Sequence, residues 1–501
     1  MKTLIAHRRE VLESSALALV GGVLWALCHG TETSWLLPWF SLVPLIVIAG
    51  RPRAFFWGWA HGTVHWLIAM WWIIPTLVTF GGLPPALSQV LFVLLAIYLG
   101  LDQALFAWLG GKIWRRGGAW TWLGIPALWV VSEVLRGWPF GGFPWNLAAY
   151  AWVDMPGALP LSAWIGAFGV SWIMLLANVG LARALVARRW DLAILAVFLP
   201  LTLLITGGRF ASQAVLEPAN LAGSADVRIV QPDSPIVGVE EALDNYFRLV
   251  DMSRAECDGH TGGRRLLVWP ESAVWPMSYH GTPQVQRDVE DLVDDGCQVL
   301  LGSVYREGQA IYNGSLVVGP EGPSEPYAKR RLVPWGEYVP LADLFPFVGK
   351  LARNAGEFTP GTEPALLPWG DERLAMAICY EVVFPAAVAE QVRAGATALV
   401  TITNDAWYGD TAAPWQHFRA ARFRAAETRR VMMRAALTGV SGLIDAQGKV
   451  RAQLDVGERG VLRGRLQGHQ HLTPYVRFPA LVPGLAFLLA TFAIVLGLRT
   501  P

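Results

Sequence analysis

Charge is what this chain has little of. Only 16% of its 501 residues are Asp, Glu, Lys or Arg, against about a quarter in ordinary soluble domains. The two signs nearly cancel, at a formal net charge of +1, so nothing argues for a nucleic acid partner. Cysteine is scarce as well. Cys28, Cys257, Cys297 and Cys379 include no Cys-x-x-Cys pair, which disfavours a zinc site or a disulfide framework. Cys257 and Cys297 are able to pair in an oxidising compartment, although nothing in the sequence demands it.

Apolar residues are abundant, at 53% of the chain with 25 Trp, and they are spread unevenly. They crowd into residues 15–206 and again into 476–498, with a segment of ordinary globular composition between them. Runs near 15–30, 34–50, 55–79, 86–109, 119–138, 161–186, 191–207 and 476–498 approach the ~20 residues that cross a bilayer. The second and seventh fit least well. Trp and Tyr stand at many run ends, as interfacial belts require. The first run follows His7, Arg8 and Arg9 but lacks a small-x-small cleavage site, so it reads as a retained helix. The expected plan is a helical membrane domain of about seven spans over 1–210, a linker over 211–225, a globular domain over 226–470, and a last span with its tail over 471–501.

Loop charges orient this plan. Arg8 and Arg9, then Arg51 and Arg53, then Lys112, Arg115 and Arg116, then Arg183, Arg188 and Arg189 mark alternate loops. The loops between them, 29–34, 80–85 and 139–160, hold no Lys or Arg. Positive loops stay in the cytoplasm, so the N-terminus is expected inside and the globular domain outside. Arg499 returns the tail to the cytoplasm, and Arg209 is a mild exception.

Few polar residues interrupt the spans. His61 and His65 share a helix face at i, i+4 but have no evident third ligand, so a metal is not expected. Glu133 and Arg136, at i, i+3, are expected to pair with each other; Asp102, toward the inner end of its run, has no assigned role. The uncharged loop beginning Pro139-Phe140-Gly141-Gly142-Phe143-Pro144-Trp145 reads equally as a lipid-touching segment or a mere connector. Phe143 and Trp145 are its candidates for substrate contact.

From 227 to 464 short apolar runs alternate with helical patterns, which implies an α/β domain with helices packed on sheets. Residues 418–436 read as one long helix. Three polar residues stand where apolar strands, or the loops after them, end. Glu271 follows Trp269-Pro270, Lys329 follows Tyr327-Ala328, and Cys379 follows the run 374–378. A carboxylate that accepts the thiol proton, an ammonium that stabilises thiolate and oxyanion, and the thiol itself suffice for acyl transfer. Each also has a plainer reading, as a strand-end acid, a solvated basic cluster with Arg330 and Arg331, or a core cysteine.

Taken in order, Trp269-Pro270-Glu271, Lys329 with Pro334-x-Gly336-Glu337, and Ile378-Cys379-Tyr380-Glu381 resemble the three motifs of the nitrilase superfamily. With the flanking spans, Thr403-Asn404-Asp405-Ala406-Trp407-Tyr408-Gly409-Asp410, and Gln416-His417, the chain resembles the membrane-anchored branch, the apolipoprotein N-acyltransferases. The resemblance implies an αββα sandwich inserted between membrane helices, with Cys379 as nucleophile, Glu271 as general base and Lys329 supporting thiolate and oxyanion. Glu337 would position Lys329, Tyr380 and Glu381 would flank the nucleophile, and Asn313, Trp407 and Tyr408 would line the pocket or a lid. It implies no metal or cofactor. It also implies a phospholipid donor such as phosphatidylethanolamine, a diacylglyceryl-cysteine apolipoprotein acceptor, and a multi-pass protein of the bacterial inner membrane with its catalytic domain periplasmic. The chain departs from the family after its first strand, where 229–235 and the following helix hold no Trp, which puts in doubt a substrate contact there. Two rivals stay open: a membrane-tethered amidase that passes the acyl group to water, and a transporter or sensor with a ligand-binding outer domain.

Overall fold

The computed structural model describes residues 2–32, 34–213, 225–234, 239–259, 264–338 and 358–499. Residues 214–224 of the expected linker 211–225 fall outside them, as do Val339 and Pro340, which follow the Pro334-x-Gly336-Glu337 motif. The chain divides into two compact units. One comprises Met1–Val78, Leu83–Ala214 and Phe478–Pro501; the other comprises Val215–Arg477 with Thr79–Gly82.

The first unit is helical. Five of its helices are long and apolar enough to cross a membrane: Ile5–Leu27, Pro85–Arg116, Ala158–Ala187, Trp190–Gln213 and Leu481–Leu498. A sixth crossing arises if Ala54–Ala69 and Ile73–Thr79, bent by 54°, count as one broken span. Pro75 sits in the first turn of the second piece, where a missing N–H costs no helical bond. The doubtful second run forms only the short helical stretch Leu37–Ala49, whereas the doubtful seventh is a full-length helix. The run 119–138 forms the 18-residue helix Ala119–Arg136.

The polar residues of this unit pair differently from expectation. Arg136 bonds Asp102 at 2.9 Å, not Glu133, and lies over the Trp66 ring. Asp102 sits midway along Pro85–Arg116, a longer helix than its apolar run suggests, which brings it level with Arg136. Glu133 instead accepts from the Trp129 indole at 3.0 Å and from the Ala148 main chain at 2.6 Å. His61 and His65 bond the two ends of one amide, Gln103, at 2.6 and 3.1 Å. Among the described residues no group of three or more His, Cys, Asp and Glu is arranged to hold a metal. Trp145 is buried beside Trp72 and Phe143, and Arg136 also binds the Phe143 and Trp145 carbonyls, so in the structure this part of the loop is tied down.

Among its described residues the second unit holds thirteen strands: β1 (Ala225–Gln231), β2 (Arg265–Val268), β3 (Cys297–Glu307), β4 (Ala310–Gly319), β5 (Gly322–Pro323), β6 (Tyr327–Ala328), β7 (Leu366–Trp369), β8 (Glu372–Ile378), β9 (Ala398–Thr403), β10 (Met432–Ala436), β11 (Ser441–Ile444), β12 (Val450–Leu454) and β13 (Gly460–Leu466). They form two mixed sheets. One runs β13-β1-β2-β3-β4-β5, with β6 also on β4; the other runs β12-β11-β10-β9-β8-β7. β1, β2 and β3 are parallel, as are β8, β9 and β10, and the remaining pairs are antiparallel. The parallel strands β8 and β9 are buried almost throughout, as strands covered on both faces must be. Helices Val239–Cys257 and Pro283–Asp294 pack on the first sheet, and Pro385–Arg393 and Ala413–Thr428 on the second, while the sheets face each other through β1 and β10. This is the expected αββα sandwich.

The long helix differs, and β5, β6, β7 and β12 are strands that the apolar runs did not mark. The expected helix 418–436 ends at Thr428, where Arg429 turns left-handed at φ 53°, and the chain re-enters the sheet as β10. Cys257, at a helix end, is disulfide-bonded to Cys297, at the start of β3.

Candidate active site

Strand ends and the loops after them assemble the site. β2 ends at Val268, and the chain runs through Trp269 and Pro270 to Glu271. β6 is followed at once by Lys329, whose main-chain N–H is held by the Asn313 carbonyl of β4 at 2.8 Å. β8 delivers Cys379, and β9 ends just before Asn404 and Asp405. Gly302 of β3 leaves room for this convergence: a Cβ there would stand 2.9 Å from Ile402 and 3.1 Å from the Glu271 Cα.

Lys329 Nζ lies 2.8 Å from Glu337 Oε1 and 3.4 Å from Glu271 Oε1. The Asn313 amide donates to both of those oxygens, each at 2.8 Å, and so bridges the two acids. The Asn404 main chain donates to the other Glu271 oxygen at 3.0 Å, and the Val333 main chain to the other Glu337 oxygen at 2.8 Å. Glu271, Lys329 and Cys379 are 5%, 1% and 6% exposed, so this chemistry is shielded from bulk water. Burial raises Glu271 above the ordinary carboxylate range, opposed by Lys329 and assisted by Glu337. Burial works against the Lys329 charge, but Glu271 and Glu337 outweigh it and hold the ammonium protonated.

Burial, then Glu271, push the Cys379 thiol up to about 12, with Lys329 opposing them. The resting sulfur is therefore a neutral thiol beside a base, not a standing thiolate. The Thr403 and Tyr408 hydroxyls stand beside it. The Cys379 main chain is left-handed at φ 51°, a conformation that costs a residue with a Cβ about 1–3 kcal/mol and persists only where surroundings enforce it.

Glu381, two residues on, is one such constraint. Its carboxylate accepts from the main chains of Ile378 at 2.8 Å, Arg330 at 2.7 Å and Arg331 at 3.1 Å, and from the Tyr327 hydroxyl at 2.9 Å. It ties the turn after β8 to the loop that carries Lys329. Tyr380 packs edge-on against Phe384. Trp407 is partly exposed on the short turn Asp405–Tyr408.

Of the residues expected from sequence, Glu271, Lys329, Cys379, Glu337, Asn313, Tyr380, Glu381, Trp407 and Tyr408 all belong to this unit. The first five and Tyr408 are linked by the bonds and charges just described. Phe143 and Trp145 belong to the helical unit. Sequence reasoning gave no role to Asn404 and Thr403, which touch Glu271 and the thiol respectively. Their position at the end of the buried strand β9 was the available signal.

Two family profiles cover the chain. Apolipoprotein N-acyltransferase N-terminal domain matches residues 21–180, and carbon-nitrogen hydrolase matches residues 227–470. The apolipoprotein N-acyltransferase of Geobacter metallireducens is 33% identical over 92% of this chain and 90% of its own. The Methylococcus capsulatus protein of that name is 36% identical over 77% and 76%, and that of Ralstonia nicotianae 33% over 96% and 93%. With a nitrilase-type sandwich, apolar helices flanking it and relatives matched over nearly their full length, the chain belongs to the apolipoprotein N-acyltransferase family.

Proposed function

We propose that this protein moves the sn-1 acyl chain of a membrane phospholipid, such as phosphatidylethanolamine, to the N-terminal α-amine of a diacylglyceryl-cysteine apolipoprotein, through a thioester on Cys379. The observation that carries this reading is a thiol on a strained strand end, buried and acted on by both Glu271 and Lys329. Glu271 takes the thiol proton as sulfur attacks the ester carbonyl. Lys329 faces the oxyanion that forms, an electrostatic contribution among the largest an enzyme makes. Collapse breaks the carbon–oxygen bond, and Glu271 returns the proton to the departing glycerol oxygen of the lysophospholipid. The acceptor amine then attacks the thioester and gives its proton to Glu271. The carbon–sulfur bond breaks and the thiol is restored. Glu337 and Asn313 hold Lys329 and Glu271 in place, and the dry site protects the thioester from water. Residues 226–470 form the catalytic domain on this reading, and 1–210 and 471–501 hold it at the membrane where both lipid substrates reside.

The domain faces the periplasm in this proposal. The loop charges favour that side, and so does the Cys257–Cys297 bond, because disulfides persist where the surroundings are oxidising.

Incubating the purified protein with labelled phospholipid and a diacylated lipopeptide tests the reading. The expected product is an N-acylated lipopeptide, with the acyl adduct on Cys379 when the acceptor is withheld. Free fatty acid as the main product would instead make the protein an amidase-like hydrolase. No adduct at all on wild-type protein would leave a binding role. Glu271→Gln and Lys329→Met are each expected to slow adduct formation on the order of a thousandfold, since members of such a set act as a unit.

A further inference from the structure

The left-handed main chain of Cys379 needs something to hold it, and Glu381 accounts only for the residues around it. The Cys379 carbonyl itself meets the imidazole of His417, with Nε2 at 2.9 Å. His417 lies 38 positions further along the chain, on Ala413–Thr428, and is fully buried. A carbonyl oxygen carries no proton, so Nε2 must supply one. On the other side of the ring, Nδ1 stands 3.1 Å from Arg434 Nη2, which can only donate. Nδ1 therefore presents its lone pair, and the ring is the neutral Nε2–H tautomer. Burial, followed by the Arg434 charge, keeps His417 below its ordinary range and so uncharged.

Arg434 is itself fixed. Its Nη2 bonds Asp405 Oδ2 at 2.7 Å and its Nε the Val440 carbonyl at 2.9 Å. Thr403 bonds Asp405 Oδ1 at 2.7 Å, and that oxygen lies 3.3 Å from His417 Nδ1. Burial works against the Asp405 charge, but the Arg434 charge holds its carboxyl below its ordinary range. The pocket around Asp405 admits no side chain at position 439, where a Cβ would stand 2.3 Å from Asp405 Oδ2. Asp405 also begins the turn that carries Tyr408, the residue whose hydroxyl reaches the thiol.

We propose that His417, oriented by Arg434 and Asp405, is a positioning residue that fixes the nucleophile through a hydrogen bond from Nε2 to the Cys379 carbonyl. It acts on the nucleophile through the main chain. Its task is to keep the sulfur aimed at the ester while the acyl group arrives and leaves. This inference rests on the reading of Cys379 as nucleophile.

The test is a pair of amides. A glutamine at this position places its N–H₂ where Nε2 stands; an asparagine places it near Nδ1. His417→Gln is expected to form the acyl-enzyme from phospholipid within about threefold of wild type. His417→Asn is expected to be slower by about tenfold or more at unchanged half-saturating phospholipid, since small misplacements of reacting atoms carry penalties of that order. The alkylation rate of Cys379 by iodoacetamide should separate the two variants in the same sense. Equal rates for Gln and Asn, or failure of both full-length variants to fold in detergent, would overturn the inference in favour of a scaffold role. Cys379→Ala, run alongside, keeps the two readings apart. An adduct that survives it removes the proposed function, whereas a silent Cys379→Ala with matched Gln and Asn variants removes only the role of His417.

Discussion

At the scale of single residues, the site works by keeping charges where water cannot dilute them. Glu271 is the clearest case. Its carboxyl is raised by burial, so it takes up a proton at a pH above the ordinary value of 4.5. A protonated Glu271 cannot accept the thiol proton. Acyl-enzyme formation is therefore expected to fall on acidification through a pH above the usual glutamate range, and the pH–rate profile of single-turnover acylation checks this. A limb at or below 4.5 would contradict the environment described for this group. The thiol adds the opposite prediction. With Cys379 pushed up to about 12, its alkylation rate should still be climbing past about pH 10, where an ordinary thiol has levelled off. The three central residues were legible in the sequence because each follows a recognisable strand or motif. His417 was legible only as part of a matching dipeptide, and Arg434 was not. Their meeting depends on a helix and two strands coming together, which no local pattern encodes.

At the scale of elements, apolar pattern marked the longer buried strands but missed β5, β6, β7 and β12, and it failed at β10, where a helix and a strand share one apolar run. The stretch after 413 shows why. Ala, Phe and Arg recur through 413–428, and Met432-Met433-Arg434-Ala435-Ala436 continues the same composition. Only the three residues Arg429 to Val431 separate helix from strand, and the left-handed turn falls on Arg429, a non-glycine residue that gives no warning in sequence. The pairing of Cys257 with Cys297 was likewise open until the fold set their Cα atoms 5.8 Å apart. That bond closes a loop of 40 residues, and loop-closure entropy makes it worth about 4 kcal/mol. Replacing both cysteines by Ser is expected to lower the thermal midpoint of the globular unit by roughly ten degrees. The variant should leave Cys379 able to acylate below that temperature, because neither sulfur borders the site. A midpoint unchanged from wild type would mean that the bond is not formed in the folded protein.

At the scale of the whole molecule, the side on which the globular unit lies follows from counting crossings, and the count does not depend on the short stretch Leu37–Ala49. Between the basic loop Lys112, Arg115, Arg116 and the start of β1 stand three helices: Ala119–Arg136, Ala158–Ala187 and Trp190–Gln213. The first is the shortest, but its 18 residues rise about 27 Å, close to a hydrocarbon core of about 30 Å. Its two charges are not left bare to lipid: Arg136 pairs with Asp102, and Glu133 accepts two hydrogen bonds. With Ala119–Arg136 taken as a crossing alongside the two longer helices, β1 stands opposite that basic loop, whatever the N-terminal helices do. Positive loops remain cytoplasmic, so β1 and the sheets built on it should lie outside. Alkaline phosphatase, which is active only after export, is expected to be active when fused after residue 225 and silent when fused after residue 117. A third fusion in the loop 29–34 settles the short helix. Activity there together with silence at 117 fits a crossing by Leu37–Ala49, because an odd number of spans then separates the two sites. Silence after 225 with activity after 117 would place the thiol in the cytoplasm, and the acyl-transfer reading would lose its periplasmic setting.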